Sequence, residues 1–142
     1  MKPRQGVGLL DTSTLIFLPQ LNDPSSLPAE PVISCITLAE LAVGPLVAEG
    51  SREQAARQAH LQQAEADFEP LVFDADAARA FGRVSASLRR AGRKTSARAY
   101  DAMIAAIAIA NGIPVYTCNP DDFAGIEDLE LVAIPHPDAA RS

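Results

Sequence analysis

SARAYDAMIAAIAIANGIPVYT, residues 96–117, decides the fold class. From Ala102 to Ala110 nine residues carry no polar side chain, so the helix predicted over Ser96–Ala110 is buried nearly all round. Asn111-Gly112 and then Pro114 stop it, and Val115–Thr117 reads as a strand. A buried helix feeding a strand is the repeating unit of an α/β domain.

The same alternation recurs along the rest of the chain. Val7–Leu10 is a short apolar run ending in Asp11, consistent with a buried strand, and Thr12–Leu18 gives a helical turn or two before Pro19. Asn22–Pro31, with Pro24, Pro28 and Pro31, reads as a loop. Val32–Cys35 is a second strand. Thr37 opens a helix in the capping pattern T-x-x-E with Glu40, and Ser51 opens another in the pattern S-x-x-Q. Leu71–Phe73 is a third strand, Asp74–Ala91 a long helix stopped by Gly92, Pro120–Ala124 a turn, and Leu129–Ile134 the last strand. The division expected is a tail over 1–6, one domain over 7–134, and a polar, frayed tail over 135–142.

The chain has 142 residues, 48% of them hydrophobic, which suits one domain with a normal core. Two cysteines, Cys35 and Cys118, are too few for a disulfide framework or a zinc pair and read as small buried hydrophobes. No apolar run reaches the roughly 18 residues needed to span a bilayer. The apolar stretch after MKPRQG is broken by Asp11 and Pro19, so a cleaved signal is not expected and the chain reads as cytoplasmic. Lys+Arg 12 against Asp+Glu 18 gives a net charge of −6, which argues against a nucleic-acid binder held by a globally basic surface. The imbalance is uneven, however. Arg79, Arg83, Arg89, Arg90, Arg93, Lys94 and Arg98 fall in one stretch with no acid among them. That cationic strip leads into the helix bearing Asp101, although basic runs are often only solvated faces.

In a parallel sheet, strand C-termini and helix N-termini share one edge, the edge where open α/β sheets place their ligands. Asp11 ends a strand, Glu40 and Asp101 open helices, and Asp121 and Asp122 follow the 115–117 strand. Acids from four separate parts of the chain therefore fall on that edge. Carboxylates converging there repel one another unless a hard cation such as Mg²⁺ or Mn²⁺ neutralises them. Such a cation supports hydrolysis at phosphorus. Each acid also has a purely conformational reading: Asp11 as a helix N-cap, Glu40 as half of a capping box, Asp101 as a partner of the helix dipole, Asp121 and Asp122 as turn formers. His60 on a polar helix and His136 in the tail do not suggest histidine catalysis.

LLDTS at 9–13, ITLAEL at 36–41, YDAMIAAIA at 100–108 and VYTCNPDDF at 115–123 resemble, in order, the four motifs of PIN-domain ribonucleases. Within that group the chain is most similar to the VapC toxins of bacterial toxin–antitoxin modules. The resemblance covers Val7 to Ile134 and implies a three-layer α/β/α domain with a short, mostly parallel sheet. It also implies an endoribonuclease dependent on Mg²⁺ (Mn²⁺ as a substitute) that cuts RNA by a metal-activated water, leaving a 5′-phosphate. The family's first three acids fall on Asp11, Glu40 and Asp101. Asn119 stands where many members carry an acid, which places the fourth on Asp121, with Asp122 in reserve. Ser13, Arg98 and Asn119 are the expected substrate contacts. A cognate antitoxin and a homodimer are the implied partners, and the apolar Leu38–Val47 segment could serve such an interface. No base-stacking platform is evident among two Tyr, five Phe and no Trp. A non-catalytic α/β interaction module, with the acids as caps and turn formers, is the alternative. A phosphoryl-accepting Asp11 is weaker, because Thr12-Ser13 do not supply the second acid of a D-x-D pair.

Overall fold

A computed structural model describes residues 6–21 and 23–138. The order is β1 (Val7–Leu10), α1 (Thr12–Phe17), β2 (Glu30–Val32), α2 (Cys35–Val47), α3 (Ser51–Asp67), α4 (Ala75–Arg90), α5 (Ala99–Asn111), β3 (Val115–Thr117) and β4 (Leu131–Ala133). Every pairing among these strands is parallel, in the order β2-β1-β3-β4, with Leu9 opposite both Val32 and Val115.

Strand alternation builds the layers. Val7, Leu9 and Val115 face one side, where they pack with Ala77, Ala80, Val84 and Leu88 of α4 and the buried Ala102–Ala108 stretch of α5. Leu10 and Tyr116 face the other, with Leu15 of α1, Leu41 of α2 and Ala64 of α3. Helices thus cover both faces, the three-layer α/β/α arrangement expected. Gly112 closes α5 in the left-handed region (φ 66), its N–H turned back onto the carbonyls of Ala108 and Ile109, as the Asn-Gly-x-Pro sequence requires.

Several boundaries differ from the sequence reading, each for a local reason. β2 runs over Glu30–Val32, two residues before the strand expected at Val32–Cys35, because Pro31 is tolerated on a sheet edge. With the strand finished early, Ser34 becomes the cap of α2, its hydroxyl accepting the Thr37 N–H at 3.1 Å. Thr37–Glu40 is therefore not a capping box, and Glu40 lies in the second turn. Gly50 (φ 92), not Ser51, occupies the cap position of α3, and the Glu53 carboxylate accepts the Glu49 N–H. The strand expected at Leu71–Phe73 shrinks to one parallel bridge between Leu71 and Ser34. The helix expected over Ser96–Ala110 splits into a 3₁₀ turn, Ser96–Arg98, and α5. The proline-rich loop contains a 3₁₀ turn at Pro24–Ser26. Pro137 is buried and the His136 ring meets Phe17 edge-on at 5.0 Å, so the described residues past Pro135 lie against the body rather than fraying. Cys118 is buried and Cys35 half-buried, as expected of small hydrophobes. Residues 1–5, Asn22 and 139–142 lie outside the described residues.

Candidate active site

Parallel pairing brings the ends of β1 and β3 side by side, and Asp11 sits at that point, 2% exposed. Its Oδ1 accepts the Thr14 N–H at 3.2 Å and caps α1, so the conformational reading of this residue is correct as far as it goes. Oδ2 looks the other way and accepts the Thr117 hydroxyl of β3 at 2.8 Å and, more loosely, Ser13 Oγ at 3.4 Å. Thr117 Oγ1 in turn accepts the Asn119 N–H, and Asn119 Nδ2 donates to Ser13 Oγ at 3.0 Å. Ser13 and Asn119, expected to touch substrate, are thus tied into the surroundings of Asp11. Burial still drives the Asp11 carboxyl above the ordinary carboxylate range, while the hydrogen bonds from Thr14, Thr117 and Ser13 pull it back.

Glu40 is held from the same junction. Thr12 Oγ1 donates to Glu40 Oε1 at 2.7 Å. A hydroxyl has one proton, so the 2.9 Å contact between Thr12 and Thr37 must be donated by Thr37, giving a relay Thr37–Thr12–Glu40. The Glu40 carboxyl is raised by burial and by the charge of Asp11, and lowered by Thr12.

Asp101 lies in the first turn of α5. Its carboxyl is pushed up to about 6, by burial first and then by the charges of Asp122, Asp11 and Glu40, with Arg98 opposing. Three acids from distant parts of the chain thus act on one side chain. Of the two acids after β3, Asp122 rather than the preferred Asp121 takes part in this field. The turn Pro120–Phe123 is 3₁₀, and the buried Phe123 fixes its phase. Asp121 is left exposed, whereas Asp122 Oδ1 meets Arg98 at 2.8 Å. The two acids are adjacent in sequence, and only the tertiary anchor separates them.

Arg98 reaches this cluster by pairing with Asp122, and the cationic strip as a whole is less free than its sequence implies. Arg79 pairs with Asp76, Arg90 with Glu127, and Arg93 donates to the Ala124 carbonyl. The sequence reading also undervalued the hydroxyls of Thr12, Thr37 and Thr117. Their signal was position, since each stands beside a strand end or a helix start. Glu40 borders two hollows. One, of about 460 Å³, continues past Arg98, Tyr100 and Asp101. The other, of about 410 Å³, runs between α2 and α3 past Leu41, Arg57 and His60, so His60 faces a groove rather than open solvent.

Among the described residues no three acidic, histidine or cysteine side chains close into a ready-made metal cage. Mg²⁺ does not demand one, since it keeps several waters and takes one or two carboxylates. The donors present are all hard oxygens; burial raises the carboxyls of Asp11, Glu40 and Asp101, and the charge of neighbouring acids raises the last two further. That set fits a small divalent cation and offers nothing to a soft one.

Residues 9–129 match the PIN domain family. The chain is 38% identical over 137 residues to Ribonuclease VapC5 of Mycobacterium tuberculosis, across 94% of this chain and 98% of that protein. Its fold superposes on a crystal structure of VapBC-5, a VapBC-family toxin–antitoxin system of the same organism, with a TM-score of 0.78. The identity there is 36%, over 91% of this chain and 99% of that one. A DNA-bound VapBC from Salmonella typhimurium gives a TM-score of 0.70 and 30% identity, over 90% and 97% of the two chains.

Proposed function

Because the chain belongs to the PIN-domain family, in its VapC group, we propose that it is a ribonuclease toxin that cuts RNA with a divalent cation, Mg²⁺ or Mn²⁺. The observation that carries this reading is Asp101, a half-buried carboxylate raised to about 6 with three other acids acting on it. A carboxylate serving only as partner of the helix dipole gains from its surroundings, whereas the ionised form of Asp101 is opposed by burial and by its acidic neighbours. Positive charge entering the crevice would relieve that repulsion.

Asp11, Glu40, Asp101 and Asp122 would hold the cation. When bound, it supplies neutralisation of the acids and of the phosphodiester, and activation of a water. Thr117, Thr14 and Ser13 fix the Asp11 carboxylate, and Thr12 fixes that of Glu40, so two acids are oriented before any cation arrives. Arg98, which donates to Asp122, would take a substrate phosphate.

The similarity to toxin–antitoxin complexes supports a cognate antitoxin as the controlling partner. Val43, Leu46 and Val47 are exposed on α2, with Leu46 83% accessible. This is apolar surface of the kind that an antitoxin contact and a homodimer would cover. Among the described residues no helix is long and apolar enough to cross a membrane, and we place the protein in the cytoplasm.

The test is cleavage-end mapping on total RNA by the purified protein, with Mg²⁺ or with EDTA. We expect discrete cuts bearing 5′-phosphates in Mg²⁺ only, none with Asp101→Asn, and none when the antitoxin is added. Cuts that survive both EDTA and Asp101→Asn overturn the reading.

A further inference from the structure

The hollow beside Asp101 has a feature that the cation chemistry leaves unused. Tyr100, one residue before Asp101 on the first turn of α5, is 56% exposed, and among the described residues it is the one tyrosine or phenylalanine that is exposed. It lines the same hollow as Arg98, Asp101 and Glu40. The volume, about 460 Å³, lies within the ~300–1,000 Å³ usual for small-ligand sites. Every Phe and the other tyrosine, Tyr116, are at least half-buried in the layers, so packing accounts for them and not for Tyr100.

We infer that this hollow is a nucleobase subsite, in which the Tyr100 ring stacks on a base next to the scissile phosphate while Arg98 holds the adjoining phosphate. The inference rests on the RNA-cleaving reading above and adds to it the position where a base is gripped. Three properties of the hollow match this ligand. An exposed phenol ring offers a stacking face with few rotatable bonds, the device by which proteins hold unpaired bases. Arg98 supplies the cationic element at the same wall, about one helical turn from Asp101. Continuity with Glu40 and Asp101 sets the base beside the acids rather than at a remote patch. A stack of this kind is equally strong before and during bond breaking. It therefore acts on KM rather than kcat.

The experiment uses the full chain and a short single-stranded RNA that the parent cuts, together with copies carrying one abasic nucleotide at each position around the cut. For the parent, one abasic position raises KM about tenfold, within the roughly 5- to 150-fold range of a base–aromatic stack. Tyr100→Ala raises KM by a similar factor on the intact RNA, with kcat held within about threefold, and suffers no further loss at that abasic position. Tyr100→Phe, which keeps the ring, restores most of the affinity. Tyr100 is exposed, so the melting temperature of each variant stays close to the parent's. An unchanged KM for Tyr100→Ala overturns the inference, as does a set of abasic losses that multiply with it at every position. If the parent cuts no RNA, the ribonuclease reading fails by itself and the same oligonucleotides are titrated for binding. Weaker binding by Tyr100→Ala at one base then upholds the subsite, and equal binding rejects it.

Discussion

Asp11 and Asp101 border one crevice and are built in opposite ways. Asp11 is almost wholly buried and accepts hydrogen bonds from Thr14, Ser13 and Thr117, which cross from α1 to β3. Asp101 is half-buried at the mouth of α5, and no hydrogen bond from the described residues stands among the influences on its carboxyl; only the charge of Arg98 favours its ionised form. The first carboxylate is part of the scaffold and would be oriented the same way with or without a ligand. The second is held ionised against burial and repulsion, so its stability depends on what binds. On the proposed reading, one crevice would therefore contain a fixed post and a sensor of incoming positive charge.

Replacing each by alanine breaks the comparison most sharply. Both Asp11→Ala and Asp101→Ala should reduce Mg²⁺-dependent RNA cleavage by at least ~10²–10³-fold, the scale of losing a principal electrostatic element of a site. Their metal-free stabilities should diverge. Asp11→Ala removes a cap and leaves the Thr117 hydroxyl and Thr14 N–H unpaired inside the protein, costing about 2 kcal/mol. Asp101→Ala removes only a repelled charge and should be neutral or stabilising at pH 7.5. If thermal unfolding shows both variants falling alike, the division into post and sensor is wrong. Thr117→Val is a milder form of the same test. It keeps the shape and deletes the shortest bond to Asp11, so about 1–2 kcal/mol of stability and part of the activity should be lost.

A pH series sharpens the other half. The Asp101 carboxyl titrates at about 6 in the fold against an ordinary value of 3.8. Between those values the folded chain keeps a proton that the unfolded chain has released. This group's contribution is therefore complete below the ordinary value and is lost as pH rises through about 6. In metal-free buffer the parent should lose about 1 kcal/mol relative to Asp101→Asn between pH 4 and 7.5, a figure reduced for the solvent that reaches the group. Added Mg²⁺ should recover stability in the parent at pH 7.5 but not in Asp101→Asn. Chemical denaturation at the two pH values, with and without the cation, measures both effects.

Much of this contrast was legible in residue order. The apolar run of α5, its Asn-Gly-x-Pro stop and the recurring strand–helix alternation were enough for a parallel sheet, and a parallel sheet sends Asp11, Glu40 and Asp101 to one edge. What sequence could not resolve was set by competition or by phase. Thr37 reads as the cap of α2, but the early end of β2 at Val32 gives that place to Ser34 and leaves Glu40 to meet Thr12. Asp121 and Asp122 are chemically alike, and with Phe123 buried it is Asp122 that meets Arg98 while Asp121 stays exposed. The relay from Asn119 through Ser13 toward Asp11 depends on the β1–β3 register, which periodicity does not encode. Asp76 and Glu127, which pair with two arginines of the cationic strip, lie outside the stretch, so the run alone overstates its free charge.

The smallest expected effect concerns Arg98. Arg98 pairs with Asp122 and opposes the repulsion on Asp101, yet the pair is partly open to solvent, with side chains 31% and 41% exposed. A pair so exposed contributes about 0.2–1 kcal/mol to folding. Arg98→Gln should therefore lower the melting temperature only slightly. Its effect on the sensor should be easier to detect: with the guanidinium gone, Asp122 and Asp101 repel without relief, so the pH-dependent loss of metal-free stability should grow. More cation should then be needed for half-maximal cleavage if Arg98 also helps order the acids, but less if removing a competing positive charge dominates. A Mg²⁺ titration of Arg98→Gln beside Arg98→Lys separates the two, because lysine retains the charge and loses the planar fork. The contrast with Asp11 predicts that neither variant disturbs the Thr117–Asp11 bond. Loss of slow hydrogen exchange at the Thr14 amide in Arg98→Gln would show instead that post and sensor are one cooperative unit.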